Sequence, residues 1–267
     1  MSHETAPPIL TGKRYDAPSA FTPENLLREA RRQKATAIEP VPDICILDPD
    51  GDIVRQVMAE GRARRHEGWV CYHTDLHIFQ EEGLTLGIVG CVVGSSFAVL
   101  VAEQLFASGC KLLISMTSSG QITPGQAPPY FILIDRALRD EGTSYHYLPP
   151  SQYCEGKKEL LTALDGAFTD LDVPVQRGPV WTTDAPFRET QEGIDAMRER
   201  GLLAVEMEAA ALYAFAKARG KPVICFAHVT NQMGQIEGDF EKGDANGTID
   251  ALAIITRAAQ RIGIGVR

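Results

Sequence analysis

Leu84-Thr-Leu-Gly-Ile-Val-Gly-Cys-Val-Val-Gly-Ser-Ser-Phe-Ala-Val-Leu-Val-Ala-Glu-Gln-Leu-Phe106 is the most apolar stretch of the 267-residue chain. A membrane span needs about 20 consecutive apolar residues. Here Gly87, Gly90, Gly94, Ser95, Ser96, Glu103 and Gln104 interrupt the run. The stretch therefore divides into a strand over Leu84–Val92, a turn at Gly94 and a helix over Ser95–Ala107. A second apolar strand, Lys111–Met116, follows and is ended by the turn residues Thr117-Ser118-Ser119-Gly120. Strand, helix and strand at this spacing place the chain among the α/β folds.

The same alternation continues on both sides. Upstream, Thr22 caps a helix with Pro23 at its first position. Asp43–Leu47 reads as a strand, Gly51–Arg64 as a helix, and Trp69–His73 and Leu76–Phe79 as strands. Downstream come a helix near Glu155–Phe168, a strand over Val175–Trp181 and helices near Glu189–Gly201 and Glu208–Arg219. The strand Pro222–Val229 and a last helix, Ile249–Ile262, complete the pattern. The expectation is one α/β domain with a mainly parallel sheet over residues 41–267, preceded by a polar, Pro-rich arm and helix at 1–40.

Composition removes several classes of function. Lys and Arg number 26 against 35 Asp and Glu, a formal charge of −9, whereas a duplex nucleic-acid binder needs a basic face to displace counterions. MSHETAPPIL has no basic start followed by an apolar run, so no secretory signal is expected. Cys45, Cys71, Cys91, Cys110, Cys154 and Cys225 are scattered without Cys-x-x-Cys spacing. Reduced core thiols in a cytoplasmic protein are expected, rather than a disulfide frame or a metal site.

In such sheets ligands gather at the carboxyl ends of strands. No G-x-G-x-x-G and no P-loop pattern occurs there. His73 and His77 lie in a strand-like region without an H-E-x-x-H context. Two segments are richer. In Thr182-Thr-Asp-Ala-Pro-Phe-Arg-Glu189, Arg188 beside Phe187 can offer its planar fork to a carbonyl-bearing ligand, or pair with Asp184 or Glu189 and order the loop. In Val205-Glu-Met-Glu-Ala-Ala-Ala-Leu-Tyr213, Glu206 and Glu208 flank Met207 at the start of an Ala-rich, buried helix. They can complement the positive helix N-terminus, or, as buried carboxylates in need of donors, take the hydroxyls of a sugar.

Ala204-Val-Glu-Met-Glu-Ala-Ala-Ala-Leu212 resembles the ribose-binding E-M-E-[SA]-x-x-L segment of the nucleoside phosphorylase family, of the uridine and purine nucleoside phosphorylase type. Thr182–Glu189 is similar to the S/T-D-x-x-x-R loop of its uridine-phosphorylase-like members. Gly94, Glu103 and Leu105 fit a G-(x)8-E-x-L pattern, Lys111–Ile122 resembles the strand ending in G-T-[TS]-G-x-I, and Asp48-Pro49-Asp50 falls in the G-D-P-x-R phosphate loop. The likeness runs from about Val41 to the C-terminus.

The resemblance implies a three-layer α/β/α sandwich, a homodimer or homohexamer, and transfer of a pentosyl group from a nucleoside to phosphate in cytoplasmic nucleotide salvage. No cofactor, metal, nucleic acid or membrane partner is implied beyond phosphate as co-substrate. Glu208 would hold the 2′ and 3′ hydroxyls, Met207 would pack under the sugar, and Glu206 would support them. Arg188 would meet the base carbonyl, with Phe187 and Gln232 beside the base. Gly94, Ser118 and Ser119 would contact phosphate.

Several positions depart from the family pattern. Leu47 and Gly51 stand where the phosphate loop carries glycine and arginine. Ser115 replaces the arginine on the strand before the Thr117–Gly120 turn, Val92 replaces a glycine, and Arg62, Arg64 and Arg65 are the nearest candidates for an arginine lent by a neighbouring subunit. Each lost charge-assisted bond to phosphate is worth about 1.5–3 kcal/mol. Asn231 occupies the place of the aspartate that protonates purines, which leans toward a pyrimidine. Three functions follow as expectations: a uridine-phosphorylase-like enzyme, a nucleosidase using water with Asp48 or Asp50 as base, and a non-catalytic nucleoside or sugar binder.

Overall fold

The computed structural model describes residues 7–233 and 237–264. Its centre is a ten-stranded sheet. In chain order the strands are β1 (Ile44–Asp48), β2 (Arg64–Arg65), β3 (His77–Glu81), β4 (Leu84–Gly90), β5 (Leu112–Gln121), β6 (Tyr130–Asp140), β7 (Tyr153–Glu155), β8 (Val175–Thr183), β9 (Ala204–Glu206) and β10 (Val223–Asn231). The helices are α1 (Pro23–Lys34), α2 (Asp52–Ala59), α3 (Ser95–Ala107), α4 (Lys158–Ala163), α5 (Gln191–Glu199), α6 (Ala209–Arg219) and α7 (Thr248–Ile262).

The strand order is β10-β6-β8-β9-β5-β1-β4-β3-β2, with β7 beside β6. Strand β10 also pairs with β5, so β5, β10, β6, β8 and β9 close on themselves and β1 to β4 extend from them as a wing. The sheet is mixed: β1–β4, β1–β5, β5–β10, β6–β8 and β8–β9 run parallel, while β2–β3, β3–β4, β5–β9, β6–β7 and β6–β10 run antiparallel.

Alternation along the strands builds two cores. In β1, Cys45 and Leu47 face α3 and α6, together with Ala98, Val101, Leu105, Leu212 and Phe215. Ile44 and Ile46 point the other way, onto Ile53 and Val57 of α2 and Ile254 and Ile255 of α7. This is the three-layer α/β/α sandwich. At α6 every residue from Ala209 to Ala216 is buried; small side chains let the helix lie close on the sheet. Helix α1 is capped by Thr22, whose hydroxyl accepts from the Asn25 amide at 3.3 Å, and its Leu27 and Ala30 pack with Val70 near the end of α3.

Four details differ from the sequence expectation. Trp69–His73 is not a strand; Trp69 turns its indole N–H onto Thr74, at 3.1 Å to both carbonyl and hydroxyl. Thr117–Gly120 is not a turn: β10 and β9 hydrogen-bond that stretch into β5, which runs on to Gln121. The segment near Glu155–Phe168 is mostly not helical, since Tyr153–Glu155 joins the sheet and α4 spans only Lys158–Ala163. Strand β6, 11 residues long, carries no expected element at all. The six cysteines are free; five are buried and Cys91 is exposed. No described helix is long and apolar enough to cross a membrane.

Candidate active site

The Glu-Met-Glu segment forms the junction where β9 turns into α6. Strand β9 is only three residues long, and its last, Glu206, is 3% exposed. One Glu206 oxygen accepts the backbone N–H groups of Glu208 and Ala209, both at 2.7 Å, which satisfies donors that a helix start leaves open. The other accepts from the Thr182 hydroxyl on β8, and Thr182 in turn accepts the Ala210 amide at 3.0 Å. Glu206 is therefore the cap of α6.

Glu208, 1% exposed, is held differently. Its Oε1 accepts the Gly94 amide at 2.6 Å and its Oε2 the Thr117 hydroxyl at 2.8 Å. Gly94 sits at φ 92, ψ 146, a backbone conformation essentially confined to glycine, and this aims its N–H at the carboxylate. The Ser95 hydroxyl donates to the Met207 carbonyl at 2.7 Å and ties the start of α3 to the same junction. Met207 is half-buried.

Among the described residues no lysine or arginine forms an ion pair with Glu206 or Glu208. Burial raises both carboxyls above the usual range, and for Glu206 the neighbouring Glu208 charge adds to the effect. Each Glu208 oxygen takes one of these donors, the Met207 backbone adds a weaker contact, and lone-pair capacity remains.

Beside Thr117 lies a cavity of about 20 Å³, lined among others by Asp48, Asp50, Asp52, Ser118, His228 and Gly247. Asp48, at the end of β1, accepts from the Gly51 amide at 3.1 Å and the Val54 amide at 2.9 Å, closing the first turn of α2. Burial pushes its carboxyl up to about 7, and the nearby Asp50 and Asp52 charges add to this against the two amide bonds. Lys242 reaches in from the segment before α7 and donates to Asp50 at 2.9 Å and Asp52 at 2.6 Å. Arg55 donates to the other Asp52 oxygen at 2.8 Å. His228 on β10 stacks on Phe131, ring centroids 4.3 Å apart, and its Nε2 has no hydrogen-bond partner among the described residues. Burial brings its pKa down to about 4, so the ring is neutral near pH 7.

The remaining candidates fall into two groups. Asn231 ends β10, accepts the Met233 amide at 2.9 Å and lies against Gly120. Gln232 is exposed, and its backbone N–H donates to Asp239. The Ser119 hydroxyl donates to the His228 carbonyl at 3.1 Å. Phe187, 99% exposed, and Arg188, also exposed, sit on a one-turn helix after β8 and share no hydrogen bond with the Glu208 cluster. Asp184 bonds the Gly142 amide at 2.8 Å rather than Arg188. Arg62 pairs with Glu60 and Glu81, and Arg65 with Asp75, out along the β2–β3 wing. His228, Asp52 and Lys242 are polar residues of this end of the sheet that sequence reasoning did not single out, and it named Thr117 and Thr182 only within their turn and loop. A larger cavity, about 830 Å³, lies between the N-terminal arm, α3 and α6 and shares none of these residues.

A family model described as the phosphorylase superfamily matches residues 43–263. The chain belongs to that superfamily. Among curated members of the phosphorylase superfamily, it is 27% identical over 214 residues to the uridine phosphorylase of Thermococcus kodakarensis, covering 69% of this chain and 77% of that one. It is 29% identical over 139 residues to the guanosine phosphorylase of Halorubrum lacusprofundi, covering 52% and 58%. A DeoD-type purine nucleoside phosphorylase of Bacillus cereus is 28% identical over 141 residues, covering 52% and 60%. The chain thus spans about three fifths of the length of two of these relatives. The fold matches a crystal structure of Vibrio fischeri uridine phosphorylase, with TM-score 0.71 at 18% identity over 86% of this chain and 98% of that one. It also matches Toxoplasma gondii purine nucleoside phosphorylase, with TM-score 0.69 at 17% identity over 84% and 92%.

Proposed function

We propose that the chain is a pentosyltransferase that cleaves the N-glycosidic bond of a nucleoside. The observation that carries this reading is the buried Glu206–Glu208 pair, which no cation neutralises among the described residues. Glu206 takes three donors at the start of α6, whereas Glu208 takes one on each oxygen. The vicinal 2′ and 3′ hydroxyls of a pentose are two adjacent donors and match it. Met207 packs under the sugar, and Glu206 fixes the backbone that carries Glu208.

Loss of the base leaves an oxocarbenium-like C1′. A carboxylate near the ring and Arg188 near the departing base both help only to the extent that they bind more strongly as that charge develops. Arg188, whose guanidinium has no ion pair among the described residues, can offer it to the base carbonyl, with Phe187 beside it. Asn231 accepts and donates hydrogen bonds but cannot deliver a proton, which favours a pyrimidine base such as uracil over a purine. The names of the relatives include both kinds.

Phosphate is the acceptor in the reading that the relatives support. Of its expected contacts, Ser118 near the end of β5 remains to offer a hydroxyl, while the Gly94 N–H at the start of α3 is given to Glu208 and the Ser119 hydroxyl to the His228 carbonyl. Water is a second reading, favoured by the three carboxylates of Asp48, Asp50 and Asp52 where the phosphate loop would lie. Assembly as a homodimer or homohexamer and a cytoplasmic role in salvage belong to the same proposal through the family likeness.

The test is a panel of purine and pyrimidine nucleosides incubated with and without phosphate, with free base and the sugar product both measured. Base release from a pyrimidine nucleoside supports the proposal. Pentose 1-phosphate as product identifies phosphate as acceptor, and free pentose identifies water. Ligand-induced stabilisation with no product under either condition would make the protein a binder and overturn the enzyme reading.

A further inference from the structure

The acceptor side of the site has an internal cation already engaged with two carboxylates. Lys242 lies 192 residues from Asp50 in sequence and 190 from Asp52, yet its ammonium bridges both, at 2.9 and 2.6 Å. Lys242 is 29% exposed, Asp50 28% and Asp52 16%, so these ion pairs are partly shielded from water. Arg55 also spends its charge locally, on Asp52 and on the Asp50 carbonyl at 2.7 Å. Both Lys242 and Arg55 are thus already engaged by acids of this group. Asp48, buried behind them, adds a further acid.

Beside the clasp there is room for water. The cavity that Asp48, Asp50, Asp52, Thr117, Ser118 and His228 share is about 20 Å³. One water needs roughly 10–15 Å³. The cavity is polar enough to hold that water. The buried Nε2 of His228, without a hydrogen-bond partner among the described residues, belongs to a neutral ring that lines the cavity with Thr117 and Ser118. Thr117 is itself bonded to Glu208, so the cavity is one side chain away from the proposed sugar site.

We propose that Lys242, clasped by Asp50 and Asp52, determines the acceptor: the clasp withholds its ammonium from phosphate beside a polar cavity that admits water, so the pentosyl group passes to water. This rests on the proposed cleavage of nucleosides and decides between its two acceptors. In the step, the C1′–N bond breaks with its electron pair going to the base, and a C1′–O bond forms to water. The proton that water loses ends on the departing base, giving free pentose and free base. Lys242 is a specificity-determining and positioning residue here; it transfers nothing itself.

The test combines phosphate binding, which does not depend on turnover, with identification of the sugar product. Inorganic phosphate is titrated calorimetrically into the wild-type full chain, into Asp50→Asn/Asp52→Asn, and into that double variant with Lys242→Met added. The expected result is a flat titration for the wild type and saturable binding for the double variant, tighter by about tenfold or more once two like charges are gone and Lys242 is free. Binding should be lost again with Lys242→Met, and wild-type cleavage should yield free pentose at a rate unchanged by phosphate. Saturable phosphate binding by the wild type, or pentose 1-phosphate as its product, overturns the clasp. If the double variant does not fold by circular dichroism, the wild-type titration and product decide the matter. A flat wild-type titration with binding by the double variant upholds the clasp even where no nucleoside is cleaved, an outcome that overturns the cleavage reading alone.

Discussion

Glu208 and Glu206 share a segment and a chemistry but differ in what remains open on each. Glu206 spends its oxygens on Thr182 and on two amides of its own helix start. Glu208 takes one donor on each oxygen. Glu208→Gln should therefore reach the ligand most directly, because its amide turns one acceptor into a donor that faces the Gly94 N–H or the Thr117 hydroxyl. Leaving such a buried group mismatched costs about 1–3 kcal/mol, or roughly tenfold to a hundredfold in nucleoside affinity. Calorimetry with a nucleoside reads the loss; unchanged affinity would remove Glu208 from the site. Thr117→Val should weaken binding in the same direction, since it frees one Glu208 oxygen from its fixed partner. At this scale the Glu-Met-Glu motif was legible, because both acids and the buried helix lie within a dozen residues. Lys242 was not: its partners are about 190 residues away in sequence, and a lone lysine in a polar loop has no local signal.

The β9–α6 junction depends on interactions from other elements. Thr182 on β8 connects Glu206 to the Ala210 amide, so Thr182→Val should leave both without that partner. The expected loss is about 1–3 kcal/mol of stability, read as a lower urea midpoint at unchanged slope; an unchanged midpoint would mean α6 is capped by other means. Gly94→Ala meets no steric obstacle, as nothing lies within 4 Å of the added carbon. Its cost, about 1–3 kcal/mol, is backbone strain alone, and it should weaken nucleoside binding through the displaced N–H. The elements flanking this junction were legible because helix and strand periods alternate cleanly there. Strand β6 was not, although Phe131-Ile-Leu-Ile134 is an apolar run, because Asp135, Arg136, Arg139 and Asp140 break up the rest of its length. The Thr117–Gly120 stretch has turn-forming residues, yet β10 and β9 on its two sides supply the ladder that keeps it extended. Pairing from strands far away in sequence overrides local preference.

Across the whole molecule, buried titratable groups at this end of the sheet give stability a defined pH dependence. Asp48 is raised from 3.8 to about 7, so the fold favours its protonated form. Its contribution is fully present below pH 3.8 and is lost as pH rises through about 7. Glu206 and Glu208 act in the same direction. His228 works against them: lowered from 6.5 to about 4, it must stay neutral, and its contribution is lost as pH falls through that window. The melting temperature should thus decline toward alkaline pH and again toward acid. Asp48→Asn should flatten the alkaline limb and His228→Asn the acid limb, as followed by scanning calorimetry; limbs that the variants leave unchanged would assign the pH dependence to other groups. The sheet that brings these groups together was foreseen only in class. Its closure of β5, β10, β6, β8 and β9 depends on strand β6, which the sequence pattern concealed, and on β10 bridging β5 and β6 at once.

The pentose grip of Glu208 is tested most directly by comparing, in one calorimetric series on the intact chain, a ribonucleoside with its 2′,3′-dideoxy analogue. The wild type should bind the ribonucleoside more tightly by about tenfold to a hundredfold, and Glu208→Gln should erase that difference by weakening only the ribonucleoside. Equal affinity of the wild type for both ligands, or an undiminished preference in Glu208→Gln, would contradict it.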